Sequence, residues 1–200
     1  MADVTDAELR SRLHASRVLI IGCGGLGSNA AEMLVRSGVG HLVLVDSDVV
    51  DETNLNRQFY FRDQIGMPKT EALADNLRRI RPGVGLMLVQ ERVDARTLPD
   101  LLPGVDAVIE AVDTAEGKAM VISTCMEARP GLPLVSASGL AGHGSCNAIV
   151  TDRIAENLYI VGDLRSDIRD GLPLFASRVM AAAAAEAHAV TRVLLGDPEP

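Results

Sequence analysis

A glycine-rich segment near the start of the chain has the spacing of a phosphate-binding loop. Gly22, Gly24 and Gly27 match GxGxxG, directly after the apolar run 18–21 and directly before a helical pattern. Backbone amides in such a loop, together with the positive end of the helix dipole, bind phosphate groups. Gly25 leaves additional room for a bulky polyphosphate. The alternative interpretation of the motif is a tight turn that only lets the strand and the helix pack closely.

Asp46 ends the next apolar segment, 41–46, where a carboxylate accepts hydrogen bonds from a ribose hydroxyl. Together with the glycine motif it fits two ligands equally well, since NAD and ATP both carry an adenosine ribose. The choice between an NAD-dependent oxidoreductase and an ATP-using enzyme therefore depends on the segment that follows.

The segment after Asp46 favours ATP. It is too long and polar for an ordinary strand-to-helix loop, and such segments are usually functional. It contains Asn54, Arg57 and Gln58, and Lys69 follows at the start of the next predicted helix. Two added cations with amide donors imply more negative charge than the two phosphates of a dinucleotide carry. A solvated surface loop would be the default interpretation for either cation alone.

Asp113 follows another buried segment, 105–113, whose polar residues Glu110 and Asp113 lie at its carboxyl end. A single carboxylate there is a candidate Mg²⁺ ligand, because Mg²⁺ is commonly held by one or two carboxylates together with substrate phosphates. The competing role for Asp113 is a helix N-cap beside Thr114.

The elements between these residues predict an α/β fold, a doubly wound and mainly parallel sheet of the Rossmann type. Ligands of such sheets bind at the carboxyl ends of the strands, where all of these motifs would meet. The predicted strands are 18–21, 41–46, 84–90, 105–113, LPLVSAS and NLYIVG, with one more apolar strand after the glycine-rich link GLAGHGSC. The predicted helices are 3–16, the segment after the glycine loop that ends at Gly38, 68–80, about 115–128 and 176–195. We expect a single domain over residues 1–200, with an additional C-terminal strand and helix region and a loose tail at 197–200.

The composition excludes several classes of protein. Two hundred residues with 48% hydrophobic and 23% charged content are typical of an ordinary globular domain. The net charge of −8 and an aromatic content of only 2% argue against nucleic-acid binding. The apolar stretches are short and the N-terminal residues lack a signal-peptide core, which predicts a cytoplasmic protein that does not bind membranes.

Four motifs, in this order and spacing, resemble the ThiF/MoeB/HesA family, relatives of the nucleotide-binding domain of ubiquitin-activating enzymes. They are GCGGLGSN, LVDSDVVDETNLNRQ, GMPK and the Asp of EAVDT, and they cover roughly residues 17–150. The resemblance implies a MgATP-dependent adenylyltransferase. Its substrate would be the C-terminal glycine carboxylate of a ubiquitin-like (β-grasp) sulfur carrier protein ending in Gly-Gly, and its products an acyl-adenylate and pyrophosphate. The short chain is most similar to the compact ThiF-like branch, which makes a ThiS-like carrier of thiamine biosynthesis the first expectation and also implies a homodimer.

The resemblance transfers roles to individual residues. The glycine loop would lie under the nucleotide, Asp46 on the ribose, Asn54, Arg57 and Lys69 on the triphosphate, and Asp113 on Mg²⁺. The residues expected to bind the nucleotide are Gly22, Gly24, Gly25, Gly27, Asp46, Asp48, Asn54, Arg57, Gln58 and Lys69. Arg57, Lys69 and Asp113 are the expected catalytic groups, since attack of a carboxylate on the α-phosphate needs charge neutralisation and in-line positioning more than a protein nucleophile.

Some features depart from the family. Many members carry two CxxC pairs for zinc, and this sequence has none, so no zinc is expected. Longer members insert an arginine from the partner subunit, a contribution for which Arg10 or Arg12 is the candidate. Among the cysteines, Cys146 is the remaining candidate for thiol chemistry, although no basic cluster near it would lower its pKa.

Two other functions remain open at this point. One is a non-catalytic module that binds a carrier protein and a nucleotide, and the other, less favoured, is the NAD-dependent oxidoreductase.

Overall fold

The strands form one seven-stranded sheet in the computed structural model, which describes residues 5–199. In chain order they are β1 (Arg17–Ile21), β2 (His41–Val45), β3 (Gly85–Val89), β4 (Ala107–Glu110), β5 (Leu134–Ala137), β6 (Val150–Ala155) and β7 (Leu158–Gly162). Their order in the sheet is β3-β2-β1-β4-β5-β7-β6, and every neighbouring pair is parallel except β6 with β7. The predicted mainly parallel, doubly wound sheet is confirmed.

Within the described residues, five α-helices precede, connect or follow these strands: α1 (Asp6–Ala15), α2 (Gly25–Ser37), α3 (Lys69–Ile80), α4 (Ala115–Ala128) and α5 (Ala176–Leu194). Residues 3 and 4 of the predicted first helix, and residue 200 of the predicted tail, lie outside the described residues. Between residues 5 and 199, no helix has the length and hydropathy needed to cross a bilayer.

Two boundaries differ from the sequence prediction in a way that shapes the site. Helix α2 begins at Gly25, inside the glycine motif, so the loop before it is very short. Strand β4 ends at Glu110 rather than at residue 113, because the next backbone N–H group that could extend it, that of Val112, donates to the Glu110 side chain at 2.8 Å.

Both faces of the sheet are covered, which explains why strands such as β1 are almost continuously apolar. One face packs against α2, α3 and α5, and its core includes Ile20 and Leu34. The other face packs against α4, and its core includes Ile21 and Val121. Each large apolar side chain buried in this way contributes about 1.5–3 kcal/mol.

The alanine-rich part of α5 packs against α2 within the chain. Ala182, Ala183 and Ala187 are buried in the same core as Ala30 and Ala31 of α2. Small side chains on both helices let their backbones lie close together, so the alanine run has a packing role inside this fold.

The strand order creates a crevice between β1 and β4, where the chain leaves neighbouring strands in opposite directions along the sheet. The loop after β1 and the turn after β4 meet there. A side-chain carbon placed on Gly22 would lie 2.5 Å from the carbonyl oxygen of Ala111. The fold therefore brings the glycine loop and the predicted Mg²⁺ ligand to one edge of the sheet.

Helix α5 also carries a buried carboxyl group with unusual surroundings. Glu186 is fully buried, and neither of its oxygens has a hydrogen-bond partner in the described part of the chain. Burial raises the pKa of this carboxyl well above its ordinary value of 4.5; Lys118 opposes the rise and Glu110 adds to it. The folded chain consequently keeps a proton that the unfolded chain loses above about pH 4.5.

We expect Glu186→Gln to flatten the pH dependence of stability. Because the folded state binds the extra proton, the unfolding free energy of the natural chain falls as pH rises above the unfolded pKa, by up to about 1.4 kcal/mol per pH unit. The variant has no group to ionise at this position, so its stability relative to the natural chain should increase from pH 5 to pH 8. Urea denaturation of both proteins at pH 5, 6.5 and 8 measures this, and parallel curves would contradict it.

Candidate nucleotide site

The glycine loop is built by two close backbone approaches. Gly22 has a φ of 96°, and its N–H donates to the carbonyl oxygen of Val45 at 2.8 Å. A side-chain carbon on Gly27 would lie only 1.8 Å from the carbonyl oxygen of Gly22. Gly24 is the N-cap of α2 and has no side chain to accept from the first helical amides. Those amides are available to an anion at the positive end of the helix.

Asp46 connects the glycine loop to the segment after β2. Its Oδ2 accepts from the Cys23 N–H at 2.6 Å, and its Oδ1 accepts from the Asp48 N–H at 2.8 Å. Each carboxylate oxygen has a second lone pair, so these bonds leave acceptor capacity for a ribose hydroxyl. Asp46, the predicted ribose ligand, therefore also holds the glycine loop in position.

Lys69 begins α3, directly after Pro68, and its ammonium lies against Asp48. The Nζ to Oδ2 distance is 2.7 Å, and the lysine side chain is 9% exposed while that of Asp48 is 65% exposed. An ammonium has three N–H donors, and within residues 5–199 the Lys69 ammonium makes this one hydrogen bond. The buried charge is thus held by a single solvated carboxylate, with donors left for an anion.

Arg57 lies at the other side of the glycine loop. A side-chain carbon on Gly25 would be 3.6 Å from Cγ of Arg57, so the aliphatic part of this arginine lies beside the start of α2. Its Nη1 donates to Oδ1 of Asn56 at 2.7 Å and to the carbonyl oxygen of Thr53 at 3.2 Å. Both partners belong to the same short segment, which restrains the guanidinium, while the aliphatic carbons lie beside the helix N-terminus.

Gln58 and Asn54 occupy different positions in this segment. Gln58 is buried, its Nε2 lies 3.9 Å from the position of a side-chain carbon on Gly24, and its Oε1 has no partner in the part of the chain that the structure describes. The Nε2 group carries the donors that a phosphate oxygen needs, whereas the unpartnered Oε1 needs a donor such as a ribose hydroxyl. Asn54 instead stabilises the turn, since its Oδ1 accepts from the Asp51 N–H at 3.1 Å.

Asp113 lies exposed in the bend between β4 and α4. It does not cap the helix: Thr114 is the N-cap of α4, and its side chain accepts from the Gly117 N–H. No three His, Cys, Asp or Glu side chains among residues 5–199 come together as a metal site. Asp113 thus suits Mg²⁺ only together with phosphate oxygens, which is a usual way for this ion to bind.

Three buried polar residues at the site were missed by the sequence analysis. Ser28 accepts from the Phe59 N–H at 3.0 Å, and the Nδ2 of Asn29 donates to the carbonyl oxygens of Gly25 and Arg57 at 2.6 and 2.9 Å. The Tyr60 hydroxyl lies 2.7 Å from the Cys23 carbonyl oxygen and 3.3 Å from that of Lys69. They fasten the 57–60 segment and α3 to the glycine loop. For Ser28 and Asn29 the available signal was a polar residue at a core-facing position of the predicted helix, and Tyr60 had no comparable signal.

The three cysteines differ in burial. Cys23 and Cys125 are buried, and burial raises the pKa of the first thiol well above its ordinary value and that of the second to about 11. Neither is a thiolate at neutral pH. Cys146 is exposed on the short 3₁₀ helix Cys146–Ala148.

Arg10 and Arg12 lie on α1, before the amino end of β1, whereas the glycine loop follows its carboxyl end. A strand of five residues separates the two ends by about 16 Å. Within one chain, neither arginine is next to the phosphate loop, so a contribution from a partner subunit stays a prediction.

The sequence model of the ThiF family matches residues 1–199 of the chain. The chain belongs to the ThiF family.

Several proteins are similar to this ThiF-family chain. The SAMP-activating enzyme E1 of Haloferax volcanii is 36% identical over 151 residues, which cover 75% of this chain and 55% of that enzyme. The molybdopterin-synthase adenylyltransferase of Escherichia coli is 36% identical over 140 residues, covering 70% of this chain and 55% of the relative. The chain thus spans about half the length of these curated relatives.

Among solved structures, the E. coli tRNA N6-threonylcarbamoyladenosine dehydratase TcdA in complex with ATP has the same fold. The TM-score is 0.86 with 22% sequence identity, and the match covers 96% of this chain and 97% of the other.

We expect Gly27→Ala to disrupt the phosphate loop of this ThiF-family chain. The added methyl group would overlap the Gly22 carbonyl oxygen, and overpacking against rigid backbone costs at least about 1–3 kcal/mol. Gly83→Ala is the matched control, because no atom lies within 4 Å of the added carbon and the φ of Gly83 is not positive. Thermal unfolding should show a large loss of stability for the first variant and a change within about 1 kcal/mol for the second. Equal melting temperatures for the two variants would contradict the close approach.

Proposed function

We propose that this ThiF-family chain is a MgATP-dependent adenylyltransferase acting on the C-terminal glycine carboxylate of a ubiquitin-like sulfur carrier protein. The observation that carries the proposal is the placement of two cations around one phosphate loop. Arg57 packs beside the start of α2. The Tyr60 hydroxyl joins the main-chain carbonyls of Lys69 and Cys23, and the Lys69 ammonium is held by Asp48. A triphosphate is the ligand whose charge suits both.

The names of the relatives support the same chemistry. The similar curated proteins include a molybdopterin-synthase adenylyltransferase and an E1 enzyme that activates SAMP, and the similar solved structure contains ATP. Because the chain spans about half the length of the curated relatives, the whole activity, the substrate and the partner are proposals for this chain.

In the proposed reaction, a carboxylate oxygen of the carrier forms a bond to the α-phosphorus of ATP. The bond between that phosphorus and the bridging oxygen to the β-phosphate breaks, and pyrophosphate leaves with the electron pair. The loop amides and Gln58 hold the phosphates, and Asp46 holds the ribose. Arg57 and Lys69 neutralise the charge that accumulates on the phosphate oxygens, which is the main requirement of such a transfer. Asp113 would hold Mg²⁺, which supplies further charge neutralisation between the phosphates.

A ThiS-like carrier of thiamine biosynthesis is the first partner to test. We further propose that residues 1–200 act as one ATP-binding domain and that two copies form a homodimer. Carrier-dependent exchange tests the partner, limited proteolysis tests the single domain, and sedimentation tests the homodimer.

A second substrate is favoured by the match over nearly the full length of the tRNA N6-threonylcarbamoyladenosine dehydratase structure. The threonyl group in that modified nucleoside carries a carboxylate, so adenylation of a carboxylate would be common to both substrates. The net charge of −8 weakens this candidate, since RNA binding depends on positive charge.

The decisive experiment is carrier-dependent exchange of labelled pyrophosphate into ATP. The substrates are β-grasp proteins ending in Gly-Gly from the same genome and, separately, threonylcarbamoylated tRNA. Exchange with one carrier identifies the partner, and exchange with the tRNA alone selects the second candidate. ATP binding without any exchange would replace the proposal with a non-catalytic carrier-binding module.

We expect Lys69→Ala and Arg57→Ala each to reduce the exchange rate by about 100-fold or more, the usual effect of removing one preorganised charge from a transition state. Arg62→Ala is the control, because Arg62 belongs to the same polar segment but is exposed and pairs with Glu52. Circular dichroism should show that all three variants are folded. Full exchange by the lysine variant would remove Lys69 from the mechanism.

We expect Asp113→Asn to raise the Mg²⁺ concentration needed for half-maximal exchange by about 10-fold, because a neutral amide is a weaker ligand for this hard cation. Titration of Mg²⁺ at saturating ATP measures the effect. An unchanged midpoint would mean that the metal is held by the nucleotide alone.

A further inference from the structure

The turn after β4 is in direct contact with the glycine loop. The Ala111 N–H donates to the Ile21 carbonyl oxygen at 2.8 Å, and the Ala111 carbonyl oxygen fills the space where Gly22 would carry a side chain. Asp113 lies two residues further along the same turn. A displacement of this turn would therefore move both the proposed metal ligand and one wall of the phosphate loop.

The turn is held by Glu110, the last residue of β4. Its side chain is fully buried and makes three hydrogen bonds to three different elements. Oε1 accepts from the Val112 N–H at 2.8 Å, while Oε2 lies 2.7 Å from Nζ of Lys118 on α4 and 2.5 Å from Oγ of Ser136 on β5. One carboxylate thus joins the turn, the helix that follows it and the neighbouring strand.

This arrangement is poorly explained by stability alone. Moving a carboxylate and an ammonium out of water costs several kcal/mol per ion, and buried ion pairs are often replaced by apolar residues without loss of stability. The Glu110 carboxylate also fixes the backbone next to Asp113, because it accepts from the Val112 N–H. Glu110 is the last residue of the parallel strand β4, so the pair lies at the carboxyl end of the sheet, which faces the crevice, and the Lys118 side chain is 25% exposed.

We propose that Glu110 is a positioning residue of the nucleotide site. Its carboxylate fixes the Ala111–Asp113 turn through the Val112 amide, and Lys118 and Ser136 fix the carboxylate in turn. The turn then presents Asp113 to the crevice and keeps the Ala111 carbonyl against Gly22. The part of this inference that concerns Asp113 rests on the proposed function, and the part that concerns the glycine loop does not.

Glu110→Gln is the test variant. A glutamine has the same length, but its single carbonyl oxygen cannot accept from Val112, Lys118 and Ser136 together, and its amide would face at least one donor. Asn157→Asp is the control: the Asn157 side chain also fixes main chain beside a strand, because its Nδ2 donates to the Leu132 carbonyl oxygen at 2.8 Å, but it does so before the amino end of β5 and bonds neither to the turn nor to the glycine loop.

The first readout is amide hydrogen exchange without nucleotide. We expect the hydrogen-bonded amides of the segments 111–114 and 22–24 to exchange about 10-fold faster in Glu110→Gln and at natural rates in Asn157→Asp. The second readout is the Mg²⁺ concentration needed for half-maximal ATP binding, which we expect to rise by about 10-fold in Glu110→Gln only, the usual effect of losing a residue that orients a metal ligand. With a carrier substrate, kcat should fall while the KM for the carrier stays unchanged.

The outcomes separate the inference from the proposed function. One outcome is that Glu110→Gln lowers the melting temperature but leaves amide exchange at both segments and the Mg²⁺ midpoint at their natural values. Glu110 would then have only a structural role, and the inference would be overturned. If the natural chain binds no ATP, the proposed function fails, and exchange at residues 22–24 still decides whether Glu110 positions the loop.

If Glu110→Gln does not fold, Ser136→Ala replaces it, since this variant keeps the Val112 bond and loses one partner of the carboxylate. It should shift both readouts in the same direction by about 3-fold, and natural values for both would again overturn the inference.

Discussion

The site depends above all on how closely three pieces of backbone approach one another at the carboxyl end of β1. The α-carbon of Gly27 packs against the Gly22 carbonyl oxygen, and that of Gly22 packs against the Ala111 carbonyl oxygen. At both contacts there is room for the hydrogen of a glycine but not for a side-chain carbon. This crowding places the first amides of α2 at the edge of the sheet and ties their position to the turn after β4. The strand order makes it possible, because β1 and β4 are neighbours whose connections diverge.

Electrostatics then determines what this backbone arrangement can bind. A loop of amides at a helix N-terminus would bind many anions. The two cations, Arg57 and Lys69, favour an anion that carries several negative charges. Lys69 remains buried because Asp48 and the start of α3 hold it, and Arg57 is held by its own segment. The long polar segment after β2 is therefore a structural part of the site rather than a flexible connection.

Much of this could be predicted from the sequence, because the signals were local. The alternation of apolar strands with helical segments gave the mainly parallel sheet, and the glycine spacing placed the loop at the end of β1. Contacts between distant segments could not be predicted in the same way. Nothing in the sequence near Tyr60 indicates that its hydroxyl reaches Cys23, and Glu110 was visible only as an acid at a strand end. The partners of such residues become known only when the strand order is known.

The residues that fasten the site mostly contact main-chain atoms. Ser28, Asn29, Asp46 and Tyr60 bond to the N–H or carbonyl groups of Gly24, Gly25, Cys23, Phe59, Arg57, Asp48 and Lys69. A main-chain group is the same whatever side chain is attached to it. Substitutions at many of the bonded positions therefore leave this scaffold intact, provided that the new side chain fits. This tolerance fits a fold that is shared with the TcdA structure at 22% sequence identity and a TM-score of 0.86.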